Sequence, residues 1–255
     1  MIGPTAVSTR NLVKTYGRRR ALDGFSLDVP VGSITGLIGP NGAGKTTWMM
    51  SVAGLTRVDS GDISVLGEGP FDARLHSGRL AILPQDSDLP LEATPQGFLH
   101  GLGRLQGLSP AAARASTREI LAAVNLADRA TTAIRSLSHG MRKRLMAAQC
   151  FLGEPELVLL DEPMNGLDPE EVVRLRNLIL RGRGERTAVV SSHDLAGLEK
   201  LCTHIAFVKA GRVIRFASLG ELTADGSSLE DAYLRFSTGV RISTSRKEDE
   251  NGGRL

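Results

Sequence analysis

Gly39-Pro40-Asn41-Gly42-Ala43-Gly44-Lys45-Thr46-Thr47 decides how this chain is read. The stretch fits G-x-x-x-x-G-K-[ST] and lies where that pattern has meaning, between a short apolar run, Ile34–Ile38, and a helix expected from Lys45. Glycine lets backbone N–H groups turn inward around an anion, and the helix start behind them adds partial positive charge. Gly39, Asn41, Gly42 and Gly44 thus form a cradle. Lys45 is placed for the β- and γ-phosphates, the Thr46 hydroxyl for Mg²⁺, and Thr47 for the α-phosphate. The segment predicts a nucleoside triphosphate site.

Further along, Leu157-Val158-Leu159-Leu160 is an apolar run that ends in Asp161-Glu162-Pro163. Ligand chemistry in parallel sheets gathers at the carboxyl ends of strands, where these two acids fall. Asp161 is suited to holding Mg²⁺, and Glu162 to polarising a water for in-line attack on the γ-phosphate.

Other strands are expected at Phe25–Val29, Ile63–Leu66, Leu80–Leu83 and Ala188–Val190. Ile205–Val208 and Val213–Phe216 flank Lys209-Ala210-Gly211-Arg212, which reads as a hairpin. Between the strands, residues 92–152 are rich in Ala, Leu and Arg, and Ser109-Pro110 reads as a helix cap. This alternation predicts an α/β fold with a helical subdomain inserted at about 86–152. A domain spanning 1–240 is expected, followed by a polar, disordered tail over 241–255.

Composition narrows the function further. Of the 255 residues 41% are hydrophobic and 23% charged, which is ordinary globular material. Aromatics at 4% leave few stacking platforms for a nucleic-acid strand, and a net charge of +3 is too small to argue for one. Arg18-Arg19-Arg20 and Arg142-Lys143-Arg144 read as solvated basic faces. Two isolated cysteines, Cys150 and Cys202, suggest neither a disulfide framework nor a zinc site. Met1–Tyr16 lacks the pattern of a signal peptide, and no apolar run reaches the roughly 18 residues of a membrane span. The expected location is cytoplasmic.

With the phosphate loop and acid pair in place, the remaining motifs resemble the ATP-binding cassette (ABC) family, over roughly residues 6–216. Tyr16 matches the aromatic that stacks on adenine. Gln85 stands for the glutamine that senses Mg²⁺ and the attacking water and touches a membrane subunit. Leu137-Ser138-His139-Gly140-Met141 occupies the place of the signature sequence LSGGQ, with Ser138 and Gly140 retained and His139 and Met141 departing from it. Asn165-Gly166-Leu167-Asp168 fits the loop that crosses to the opposing site, and His193 the histidine that contacts the γ-phosphate.

The resemblance implies a P-loop NTPase fold with an antiparallel β subdomain, and ATP with Mg²⁺ as cofactors. It also implies a dimer, of identical or different cassettes, in which each ATP lies between Lys45 of one chain and Ser138 of the other. A separate transmembrane subunit would hold the cassette at the cytoplasmic face. Leu229–Leu234 resembles the short terminal helix of drug- and peptide-exporter cassettes, and the Ser-x-Gly-x form of the signature resembles that of antibiotic and drug exporters, which implies export. A GTPase is excluded by the lack of an N-K-x-D motif. A soluble cassette ATPase acting on nucleic acid or ribosomes is the rival, opposed by a single uninterrupted cassette without sustained heptads.

Overall fold

Three adjacent strands buried along their whole length define the centre of the molecule in a computed structural model, which describes residues 3–238. The expected tail, 241–255, lies outside the described residues. In chain order the elements begin with β1 (Thr5–Tyr16), β2 (Arg19–Pro30), β3 (Ile34–Ile38), α1 (Lys45–Val52) and β4 (Ser60–Val65). Next come α2 (Ala73–His76), β5 (Leu80–Leu83), α3 (Pro95–Leu105), α4 (Pro110–Ala123) and α5 (His139–Ala148). Then follow β6 (Leu157–Asp161), α6 (Pro169–Leu180), β7 (Thr187–Ser191), α7 (Leu195–Glu199) and β8 (His204–Lys209). Last are β9 (Arg212–Ser218), α8 (Leu219–Leu222) and α9 (Leu229–Thr238).

The main sheet has the order β5-β6-β7-β3-β8-β9, parallel except for β9. Every residue of β3, β6 and β7 is buried, because both faces of the sheet are covered. One face packs against helices through Phe151, Leu145, Leu160 and Val190; the other meets α1 and the second sheet through Trp48, Leu37, Leu159 and Val189. Both thiols, Cys150 and Cys202, lie in the first of these cores.

The second sheet is antiparallel, β2-β1-β4, and α1 lies between it and the main sheet. Trp48 of α1 stacks on Phe25 of β2 with ring centroids 5.7 Å apart and donates its indole N–H to Thr9 Oγ1 of β1. Full burial of Phe25 alone is worth about 1.5–3 kcal/mol. This sandwich presses α1, and with it the phosphate loop, onto the sheet.

The α/β expectation holds, with one strand added and one moved. Strand β1 has no counterpart among the sequence-based strands: its pairing shifts register at several points, and Asn11 turns to φ 49°. These bulges break the two-residue alternation by which a half-buried strand is recognised. Strand β4 starts at Ser60 and stops at Val65, with Leu66 already at φ 51°. Within 86–152 the α-helices are α3, α4 and α5, capped at their starts by Thr94, Ser109 and Ser138, with short 3-10 turns at Ala127–Arg129, Ile134–Ser136 and Gln149–Phe151. Among the described residues no helix is long and apolar enough to cross a membrane.

Candidate active site

Strand order builds the site. Because β6, β7 and β3 are neighbours, their carboxyl ends bring Asp161, Ser191 and the loop after Ile38 side by side. Strand β5, beside β6, delivers Gln85 to the same edge.

The phosphate loop owes its shape to close backbone packing. A Cβ on Gly39 would lie 2.1 Å from the Val208 carbonyl, and one on Gly44 2.6 Å from that of Ala21. Gly42 and Gly44 adopt φ 76° and 111°, which side chains disfavour. Gly44 is the residue before α1, and no side chain caps the helix. The first N–H groups of α1 therefore face the cavity, as an anion-binding helix start requires.

That cavity, of about 630 Å³, is lined by Tyr16, Asn41, Lys45, Thr46, Gln85 and Glu162 among others, a size suited to a nucleotide. Lys45 is buried, and its ammonium donates to the carbonyls of Gly39 at 2.6 Å and Pro40 at 3.3 Å. Desolvation lowers its pKa below the ordinary lysine value, opposed by the charges of Glu162 and Asp161. Thr46 donates its hydroxyl directly to Asp161 Oδ2, and Thr47 also lines the cavity. The oxygens of Thr46, Asp161 and Gln85 on this wall are the hard donors Mg²⁺ takes together with phosphates and water. The donor set fits that ion.

Glu162 follows the strand at φ 51°, a left-handed conformation costly for a non-glycine residue. The turn aims its carboxylate into the cavity that holds Lys45. His193 Nδ1 lies 3.0 Å from Glu162 Oε2. A carboxylate so held, facing a buried lysine, can accept a proton from a water between them.

Four residues given no role by the sequence, Ser191, Arg19, Lys14 and Asp59, support the groups around this cavity. Buried Ser191 donates to Asp161 Oδ1 and accepts the N–H of Glu162 at 2.9 Å, so one hydroxyl sets both acids. Arg19 is exposed, as expected of the basic stretch Arg18-Arg19-Arg20, and it also lines the cavity mouth and donates to the Gly42 carbonyl at 2.8 Å. Lys14 stands 5.4 Å from the centroid of the Tyr16 ring, while Asp59 accepts from the Thr15 N–H at 2.7 Å. Tyr16, half exposed, is thereby fixed at the cavity mouth. Only Ser191 left a usable signal, as a hydroxyl residue at the end of an apolar strand two positions before His193.

Ser138, Gly140 and Asp168 are not brought to this cavity. Ser138 is exposed and caps α5 by accepting the Met141 N–H. Asp168 caps α6 in a reciprocal box with Glu171. His139 and Gln85 line a neighbouring groove with Arg142 and Lys143. Arg144, in contrast to the solvated face expected for it, is buried.

The sequence pattern that defines the family described as "ABC transporter" matches residues 22–165. The chain belongs to the ABC transporter family. It is 37% identical over 213 residues to "Nod factor export ATP-binding protein I" of Burkholderia orbicola (strain AU 1054), covering 82% of this chain and 69% of that protein. It is 36% identical over 264 residues to "Daunorubicin resistance ATP-binding protein DrrA3" of Streptomyces coeruleorubidus, covering 95% of this chain and 82% of the relative. A solved "ATP binding subunit of ABC transporter" superposes with a TM-score of 0.81 at 27% identity, over 91% of this chain and all of that one. The cassette described above is thus the ATP-binding, ATP-hydrolysing subunit of an ABC transporter, and its fold is that of the P-loop cassettes.

Proposed function

We propose that this cassette powers export through a separate transmembrane subunit, by closing face to face with a second cassette around ATP and Mg²⁺. The reading rests most on one observation, the Glu162 carboxylate lining the same cavity as Lys45 with His193 set against it. The export direction is supported by the relatives just named, whose names describe Nod factor export and daunorubicin resistance.

In this reading adenine stacks on Tyr16, and the cradle of Gly39, Asn41, Gly42 and Gly44 wraps the phosphates. Lys45 leaves the Gly39 and Pro40 carbonyls to take the β- and γ-phosphates, with Thr47 at the α-phosphate. Thr46, Asp161 and Gln85 would hold Mg²⁺, which when bound neutralises charge on the phosphate oxygens. Glu162 accepts the proton of the attacking water, and His193 meets the γ-phosphate while holding Glu162 in place. Ser138, Gly140 and Asp168 act on the nucleotide of the opposing cassette, which accounts for their place outside the chain's own cavity.

The groove beside Gln85, lined by Asp86, Asp88, Leu91 and Arg142, is the proposed seat of the membrane subunit. Binding there keeps the cassette at the cytoplasmic face, with no nucleic-acid partner. ATP drives closure only through its greater affinity for the closed pair.

Glu162→Gln tests the proposal. The variant is expected to bind ATP, to lose turnover by about 10²–10⁴-fold, and to accumulate as a dimer with ATP. Unchanged hydrolysis would remove Glu162 from the role of base. RNase-sensitive association of the wild type, in place of retention by a membrane protein, would favour the nucleic-acid class.

A further inference from the structure

The signature turn and the Asn165–Asp168 loop lie on either side of β6 in the sequence, yet side chains tie them into one body. Lys143 of α5 donates to the Asn165 carbonyl, and a Cβ on Gly166 would stand 3.2 Å from its ammonium. Arg144 sets its Nε 3.2 Å from Glu171 Oε1, an ion pair without an aligned hydrogen bond, with side chains only 7% and 14% exposed. The same guanidinium donates to the Val124 carbonyl at the end of α4. Glu171 accepts the Asp168 N–H at 3.4 Å and returns its own N–H to Asp168 Oδ1 at 2.9 Å. Finally, a Cβ on Gly140 would fall 2.3 Å from both Glu171 oxygens, so the carboxylate lies flush against the first turn of α5.

One carboxylate therefore touches three things: the cation of α5, the glycine of the signature turn, and the N–H of the loop that ends in Asp168. From this we infer that Glu171 is a positioning residue of the site offered to the opposing cassette. It locks the signature turn to the Asn165–Asp168 loop, so that Ser138 and Asp168 reach the partner's nucleotide in register. Capping α6 does not require this. An N3 glutamine reaches back to the cap N–H as well as glutamate does. The nearly buried charge is matched by the cation of Arg144, and a buried cation that loses its counter-charge is a costly arrangement. Closure of two cassettes demands such rigidity because each surface has to meet the other without reordering its side chains. The inference rests on the face-to-face reading proposed above.

Glu171→Gln separates the two roles, since it keeps the cap and removes the charge. In a Glu162→Gln background, the dimer formed with ATP is expected to dissociate about tenfold more readily, the effect of one lost charge-assisted contact. The readout is sedimentation velocity over a range of protein concentrations. In the otherwise wild-type chain kcat, counted per folded chain that binds a fluorescent ATP analogue, is expected to fall by a similar factor with the KM for ATP unchanged, and counting only binding-competent chains removes any loss of folded protein from the comparison. Arg144→Lys, which keeps a cation but forfeits the planar fork, is expected to show the same split more weakly and serves if Glu171→Gln fails to fold. Dimerisation and kcat equal to the parent would overturn the inference and reduce Glu171 to a cap. A Glu162→Gln parent that stays monomeric with ATP would take down the face-to-face reading itself, and this inference with it.

Discussion

The two halves of the proposed catalytic apparatus are built in opposite ways. Around the phosphate loop, polar groups are buried and satisfied from distant strands: Asp161 by Thr46 and Ser191, Lys45 by the loop carbonyls, the Glu162 N–H by Ser191. Around Ser138 and Asp168 the polar groups stand in solvent and serve as caps to their own helices. The first region is a finished receptor for a triphosphate. The second is a prepared surface whose ligand comes from elsewhere, and preorganisation there is carried by helix caps and by the Glu171 tie.

Variants in the two regions should therefore fail differently. Lys45→Ala should have the largest effect on affinity, weakening ATP binding by more than about 100-fold through loss of charge-assisted contacts to two phosphates. Titration of the isolated chain with a fluorescent ATP analogue measures it, and near-normal affinity would break the contrast at its root. Ser138→Ala should lower turnover by about 10–100-fold, as removal of one preorganised hydroxyl donor does at other anionic sites, with ATP affinity of the monomer within about twofold. A fall in affinity with turnover intact would assign Ser138 to its own chain's nucleotide.

Ser191→Ala sharpens the contrast on the buried side. It strips the N–H of Glu162 of its acceptor and Asp161 of a donor, so stability should drop by about 1–3 kcal/mol in urea titration, with kcat reduced about tenfold. The corresponding loss at exposed Ser138 should be smaller, about 0.5–2 kcal/mol for a lost helix cap. Tyr16→Ala should weaken ATP by about tenfold, within the range for removal of a base-stacking ring, while Tyr16→Phe should be nearly silent.

The buried half was largely legible in the sequence because its determinants are local. Glycine spacing before Lys45 and an apolar run ending in two acids both state their structure within about ten residues. What sequence did not disclose joins residues far apart in the chain. Ser191 meets Asp161 across neighbouring strands, Arg19 reaches the Gly42 carbonyl from the start of β2, and Arg144 is drawn out of a basic run by Glu171 on another helix. No periodicity announces such contacts, since they depend on which strands become neighbours. Strand β1 escaped for a different reason: its bulges spoil the alternation that betrays Phe25, Leu27 and Val29 in β2.

Cys150 and Cys202 are almost completely sealed in the core, and burial pushes both thiols up to about 12. At neutral pH neither presents the thiolate that maleimides and methanethiosulfonates attack. The folded native chain is thus expected to react slowly with sulfhydryl reagents. A single cysteine introduced at an exposed position such as Val173 on α6 would take up a spin label or fluorophore alone. Distances between two cassettes could then be followed through a nucleotide cycle without first stripping the protein of its own sulfur.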